Sequence, residues 1–212
     1  MLTPAQVQAY KDDGYIVASN VLARSEVAEL QRLTDDFIEQ SRSATQSDEV
    51  FDLEDGHTPE RPRLRRLQKP EQRHPTYKAL FGHKGIIAAL QQLLGRDVRH
   101  RGLKLNLKPP GGGEPVEWHQ DWAFYPHTND DVLALAIMLD DVTMENGPML
   151  VVPGSHRGPT YDHHQNGVFA GAITDPAAEA AYKRAVPVLG KAGDVSIHHA
   201  RLLHGSASNM SD

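Results

Sequence analysis

The sequence predicts a mainly β fold with flanking helices. Three observations carry this: helical periodicity confined to the first half, short strand-like runs from Val98 onward, and Gly/Pro-rich turns between those runs. A chain of 212 residues can bury a real core and suits one domain. The expected organisation is a single unit over 1–212, its helical half packed on a β core that starts near residue 98.

Each element has its own signal. Pro4 suits a first helical turn and Gly14 a stop, so a helix is expected over 4–13. Tyr15 to Val21 is rich in β-branched residues and reads as a strand. After Ser25, the spacing of Val27, Leu30, Leu33 and Phe37 predicts a helix with one apolar face, reaching to around residue 40. Residues 42–62 are polar and without a clear period, which reads as a loop or mobile cover. A strand is expected at 64–67, then helices at 74–81 and 84–95. Ile86, Ile87, Leu90, Leu93 and Leu94 form the buried stripe of the second helix, and Gly95 ends it. Strands follow at 98–107, 116–121, 132–139, 148–152, 186–188, 194–198 and 201–204. Short strands with such turns indicate a sandwich or barrel, with the helices over one sheet's outer face.

Composition excludes several functions. A net charge of −6 gives no field for a phosphate backbone, and the basic cluster Arg61 to Arg66 is too short to change that, so no nucleic-acid partner is expected. The absence of cysteine excludes disulfides, thiolate metal sites and a Cys nucleophile, leaving His and carboxylates as metal ligands. Met1 to Tyr10 has no basic or apolar leader character, and no apolar run approaches the roughly 18 residues of a membrane span. A soluble, cytoplasmic protein without a membrane partner is expected; the sequence leaves its oligomeric state open.

The informative segment is Glu117-Trp118-His119-Gln120-Asp121-Trp122, where a His and an Asp stand two apart in an expected strand and so share a face. A later strand brings His204 in Leu202-Leu203-His204-Gly205-Ser206. Two imidazoles and a carboxylate on one face of a metal ion leave the opposite positions open, which suits Fe(II) that binds a chelating co-substrate together with O2. A His-x-Asp alone is weak, because these three letters recur by chance and a lone strand histidine is commonly structural.

More features stand in order behind it. They are Asp12-Asp13-Gly14-Tyr15-Ile16-Val17, Lys108-Pro109-Pro110, Trp118-His119-Gln120-Asp121 with Phe124-Tyr125-Pro126, and Glu145-Asn146-Gly147-Pro148-Met149. Val152-Pro153-Gly154-Ser155-His156, Gly193-Asp194-Val195, and Leu203-His204-Gly205-Ser206 with Asn209 and Ser211 complete the set. Together they resemble the phytanoyl-CoA dioxygenase family of 2-oxoglutarate-dependent oxygenases, from about residue 3 to the end. The resemblance implies a double-stranded β-helix, or cupin-like jelly-roll, with His119, Asp121 and His204 holding iron. It also implies hydroxylation of a small organic metabolite with 2-oxoglutarate and O2 as co-substrates and succinate and CO2 as products. In related halogenases the Asp121 position is a small residue, so Asp121 implies hydroxylation or desaturation here.

Family members carry an arginine about ten residues after the distal histidine, paired bidentately with the far carboxylate of 2-oxoglutarate. No Lys or Arg follows His204 before Asp212, so the chain is expected to continue beyond the sequence given, with a final strand. Failing that, Lys104 is the expected substitute, since Leu103, Leu105 and Leu107 form one strand face and Lys104 and Asn106 the other. Ser206 resembles a residue that bonds 2-oxoglutarate, and Gln120 one near the co-substrate.

Phe124 and Tyr125 are the residues expected to touch substrate at the mouth. His198 and His199 fall on opposite strand faces and are read as structural, His156 as a brace for the Pro-Gly-Ser-His turn, and His163-His164 as solvated. Residues 42–62 and 156–180 are candidate lids. A metal-binding jelly-roll without activity, such as a sensor or pseudoenzyme, and a zinc hydrolase using the same ligands are the rival readings.

Overall fold

The computed structural model describes residues 1–125 and 127–212; Pro126 of the Phe124-Tyr125-Pro126 motif lies outside them. Its first helix, α1 (Pro4–Asp13), has a reciprocal cap. The Thr3 hydroxyl accepts from the Gln6 N–H at 3.2 Å, and the Gln6 side chain accepts from the Thr3 N–H at 2.9 Å. Gly14 ends it with φ +80°, a conformation that favours glycine. The chain continues through β1 (Tyr15–Ala18) and α2 (Arg24–Ser41), which buries Val27, Leu30, Leu33 and Phe37 as their spacing predicts.

Residues 42–62 are not a structureless cover. Within them β2 (Phe51–Leu53) pairs antiparallel with β3 (Leu64–Gln68), placing Phe51 opposite Leu67. A buried ion pair, Arg63 to Glu54 at 2.7 Å, pins the intervening loop, and the second Glu54 oxygen accepts from the Glu114 N–H. Polar composition hid this order because the polar groups find one another instead of water.

Helices α3 (Pro70–Arg73), α4 (Pro75–Ala79) and α5 (Lys84–Leu94) follow, so the helix expected at 74–81 is shorter and ends in a 3-10 turn at Leu80–Gly82. The strand expected over 98–107 shrinks to β4 (Lys104–Asn106), paired with β3. Then come β5 (Val116–His119), β6 (Leu133–Ile137), β7 (Met149–Val151), the hairpin β8 (His164–Gln165) and β9 (Val168–Phe169), and a short α6 (Glu179–Tyr182). The last strands are β10 (Val186–Val188), β11 (Val195–His199) and β12 (His204–Ser206).

These strands form antiparallel sheets ordered β1-β11-β6, β10-β7-β12-β5 and β2-β3-β4. The mainly β architecture with flanking helices is therefore present. In the first sheet Ile16, Ala18, Val195 and Ile197 turn to α1, α2 and α5, joining Leu30, Leu33 and Ile86 in the larger core. Tyr15 and Val17 turn the other way and pack with Val151, Val188 and Val186 of the second sheet. Ser196 and His198 alternate with the helix-facing residues of β11 and so occupy this inner face. No helix among the described residues is long and apolar enough to cross a membrane.

Candidate metal centre

Two strands of the second sheet set the site. β12 pairs with β5 so that His204 lies directly opposite His119. Beyond His119 the chain stays extended for one residue, Gln120 (φ −124°, ψ 124°), and turns at Asp121 into a 3-10 segment. That single extended residue keeps His119 and Asp121 on one side, although the expected strand over 116–121 stops at His119.

The ligand atoms of His119, Asp121 and His204 all lie within 4.8 Å of one another. The Nε2 atoms of His119 and His204 stand 3.8 and 4.0 Å from the Asp121 carboxylate. Each ring is oriented from behind: His119 Nδ1 is 2.7 Å from the Glu117 carbonyl oxygen, and His204 Nδ1 is 3.0 Å from that of Leu202. A carbonyl can only accept, so Nδ1 carries the hydrogen and Nε2 offers its lone pair to the site. Burial lowers the proton affinity of both imidazoles, His204 well below the ordinary value, which favours the neutral, ligating form. Burial alone would raise the Asp121 carboxyl. A hydrogen bond from His198 and the neighbouring imidazoles outweigh it, holding the acid below the usual range and ionised. Two neutral imidazoles and a carboxylate converging on one point fit a divalent transition metal.

Around the triad the expected residues divide. Phe124 meets the His119 ring edge-on at 5.8 Å and Phe169 at 4.9 Å, with 37% of its surface exposed, so it stands at the mouth. Tyr125 is half-buried beneath the Arg101 guanidinium, 4.6 Å from its ring centre. Lys104 is exposed to water, yet the surrounding protein depresses its proton affinity, and the Asp121 charge partly offsets that. Asn106 shares its face but is tied to Arg66, accepting from Nε at 3.0 Å. Ser206 follows His204 on the same face of β12. Its hydroxyl accepts from the Val116 N–H and from Lys108 Nζ at 2.7 Å.

Gln120 turns away from the triad side chains. Fully buried, its amide nitrogen donates to the carbonyls of Pro159 and Arg201, and its oxygen accepts from the Tyr161 N–H. The alternation that brings His119 and Asp121 together turns Gln120 away from them. His163 is likewise not solvated: 1% exposed, it accepts from the Gln120 N–H through Nε2 at 3.0 Å. His164 is exposed as expected. His156 braces its turn against α1, with Nε2 3.2 Å from the Lys11 carbonyl oxygen. His198 is buried, and its Nε2 lies 3.3 Å from Asp121 Oδ2.

Lys108 is the residue that sequence reading missed. Half-buried, its Nζ donates to Ser206 Oγ and to the Ala207 carbonyl oxygen, and it makes no ion pair among the described residues. Burial brings its proton affinity down to about 8. A signal existed: Lys108 stands four residues after Lys104, hence on the same face of an extended segment.

The phytanoyl-CoA dioxygenase family model matches residues 10–212. The chain belongs to the phytanoyl-CoA dioxygenase family. A probable alpha-ketoglutarate-dependent hypophosphite dioxygenase of Stutzerimonas stutzeri is 36% identical over 97% of this chain and 73% of its own length. An ectoine dioxygenase of Sphingopyxis alaskensis is 26% identical, over 99% of this chain and 72% of its length. The crystal structure of EctD from S. alaskensis with 2-oxoglutarate and 5-hydroxyectoine superposes with a TM-score of 0.79 at 26% identity, covering 99% of this chain and 72% of that one. The same protein with bound Fe gives a TM-score of 0.80 at 25% identity, with the same coverage. This member of the phytanoyl-CoA dioxygenase family is an iron- and 2-oxoglutarate-dependent dioxygenase that uses O2.

Proposed function

We propose that His119, Asp121 and His204 hold Fe(II), and that the enzyme hydroxylates a small metabolite bearing an anionic group. The observation that carries the metal assignment is the convergence of both Nε2 lone pairs on the Asp121 carboxylate, within 4.8 Å. Bound iron with 2-oxoglutarate and O2 supplies an oxidation of the substrate as the co-substrate leaves as succinate and CO2.

The chain's own groups do the rest. Ser206 and Lys108 stand ready for the far carboxylate of 2-oxoglutarate: a half-buried ammonium without a carboxylate partner among the described residues gains most from an anion that reaches it. Lys104 then remains for the substrate. Its charge is felt at His119 and Asp121, while Arg66 and Arg101 act on Tyr125 at the mouth, so three cations bias the entrance towards an anion. Hypophosphite, for which the S. stutzeri relative is named, is an oxyanion of this class. Phe124, Tyr125 and Phe169 wall the opening, which limits water beside the reacting atoms. The hairpin β8-β9 that carries Phe169 is the candidate lid. The two inner sheet faces, with the site between them, support a double-stranded β-helix formed by one domain over 1–212.

Anaerobic titration of Fe(II) and 2-oxoglutarate, read by the weak visible charge-transfer band of the chelate, tests this. The wild type develops the band and forms succinate in air; His119→Ala and Asp121→Ala do neither. A wild type without the band, or variants that keep it, would overturn the assignment.

A further inference from the structure

A third imidazole reaches the site from the opposite sheet. His198, on β11, is 5% exposed, and its ring lies 4.3 Å centre to centre from that of His204. Its Nε2 is 3.3 Å from Asp121 Oδ2, yet it stands outside the group of three whose ligand atoms lie within 4.8 Å of one another. An ionised carboxylate only accepts, so Nε2 carries the hydrogen and donates it. Its Nδ1 is buried with no hydrogen-bond partner among the described residues. An imidazole that leaves one nitrogen unsatisfied at a buried position is held there by what the other nitrogen does.

We propose that His198 is a positioning residue for Asp121: its Nε2–H engages Oδ2, the oxygen 4.0 Å from His204 Nε2, and so competes with the metal for it, leaving Oδ1, 3.8 Å from His119 Nε2, as the metal's ligand. A carboxylate can bind a metal through one oxygen or two. If Asp121 used both, it would take a position that the chelating co-substrate or O2 requires, since an octahedral ion with three protein ligands has three places left. Fixing one oxygen from the opposite sheet keeps the open face open. Neither Ser196 nor Val195 on β11 could do this, the first being too short and the second lacking a donor and facing the helices. The proposal rests on the iron-site reading above.

The test titrates metal-free protein with Fe(II) under nitrogen, then adds 2-oxoglutarate, for the wild type, His198→Phe and His198→Gln. Phenylalanine keeps the ring without the donor; glutamine keeps a donor without the ring. We expect His198→Phe to bind Fe(II) about 10- to 100-fold more weakly and to shift the visible band, and His198→Gln to recover both towards wild type. Wild-type affinity and band in His198→Phe would overturn the proposal. So would equal impairment of the two variants, which would reduce His198 to a packing role, or a loss in His198→Phe as deep as that of His119→Ala, which would make it a ligand. Circular dichroism of the metal-free proteins checks the fold, and His198→Leu replaces the phenylalanine variant should that one not fold. A wild type that binds no Fe(II) overturns the iron-site reading itself, an outcome distinct from all of these.

Discussion

Lys108 illustrates how much one buried charge can decide. Its ammonium is bonded to a hydroxyl and a carbonyl oxygen, both neutral, so its charge is only partly compensated where it sits. An arriving carboxylate supplies that compensation, and a charge-assisted hydrogen bond contributes about 1.5–3 kcal/mol. Lys108→Met keeps the stem and removes the charge. It should raise the KM for 2-oxoglutarate about 10- to 100-fold while Fe(II) affinity stays unchanged. An unaltered KM would show that the far carboxylate is held elsewhere. Sequence could place Lys108 on an inward face by simple alternation, and the same alternation sets Gln120 on the face opposite His119 and Asp121. It could not reveal the partner of His198, because that contact joins β11 to the turn after β5 across two different sheets.

Among the elements, the pairing of β12 with β5 matters most, since it sets His204 against His119. Gly205 makes the pairing possible. A Cβ there would stand 2.8 Å from the Val116 carbonyl oxygen, a backbone atom that moves only if β5 moves. Gly205→Ala should therefore destabilise the protein by about 1–3 kcal/mol and weaken Fe(II) binding as His204 shifts away from its partners. Urea unfolding and metal titration measure the two effects, and wild-type values in both would refute this role for Gly205. Long elements with strong periodicity, α1, α2 and α5, were readable from sequence to within a residue or two, because one apolar stripe or one cap settles each. Short strands divided: β3, β7, β10 and β11 lie within a residue of the runs expected for them, and others do not. β4 keeps three of the ten residues expected at 98–107, and β2, β8 and β9 carried no readable pattern, being held by pairing and by ion pairs such as Arg63–Glu54 rather than by burial of alternate side chains. The triad itself was readable because its chemistry demands particular residue types, which survive in sequence where packing preferences blur.

Taken as one molecule, the protein holds several histidines away from water, and this gives its stability a definite pH dependence. Burial lowers the proton affinities of His119, His156, His163, His199 and His204, each with burial as the largest cause. In the unfolded chain these imidazoles titrate near the ordinary value of about 6.5. Between that value and the lower folded ones, the unfolded state binds more protons than the folded state, so stability rises with pH across this window. The contribution is fully present above about pH 6.5 and is lost as pH falls through the folded values. Asp121, whose acid is lowered, contributes stability that is fully present above the ordinary carboxylate range and is lost only as pH falls through and below it, so its contribution is constant between pH 5 and 7 and the histidines set the slope there. The metal-free protein should show a urea midpoint that is flat from pH 8 to about 7 and falls steadily towards pH 5. Fe(II) should steepen the fall, because ligation at His119 and His204 requires the neutral imidazoles that acid removes. A midpoint that rises on acidification would mean that these rings are accessible and charged in the folded state, and the closed, neutral metal site would have to be given up with them.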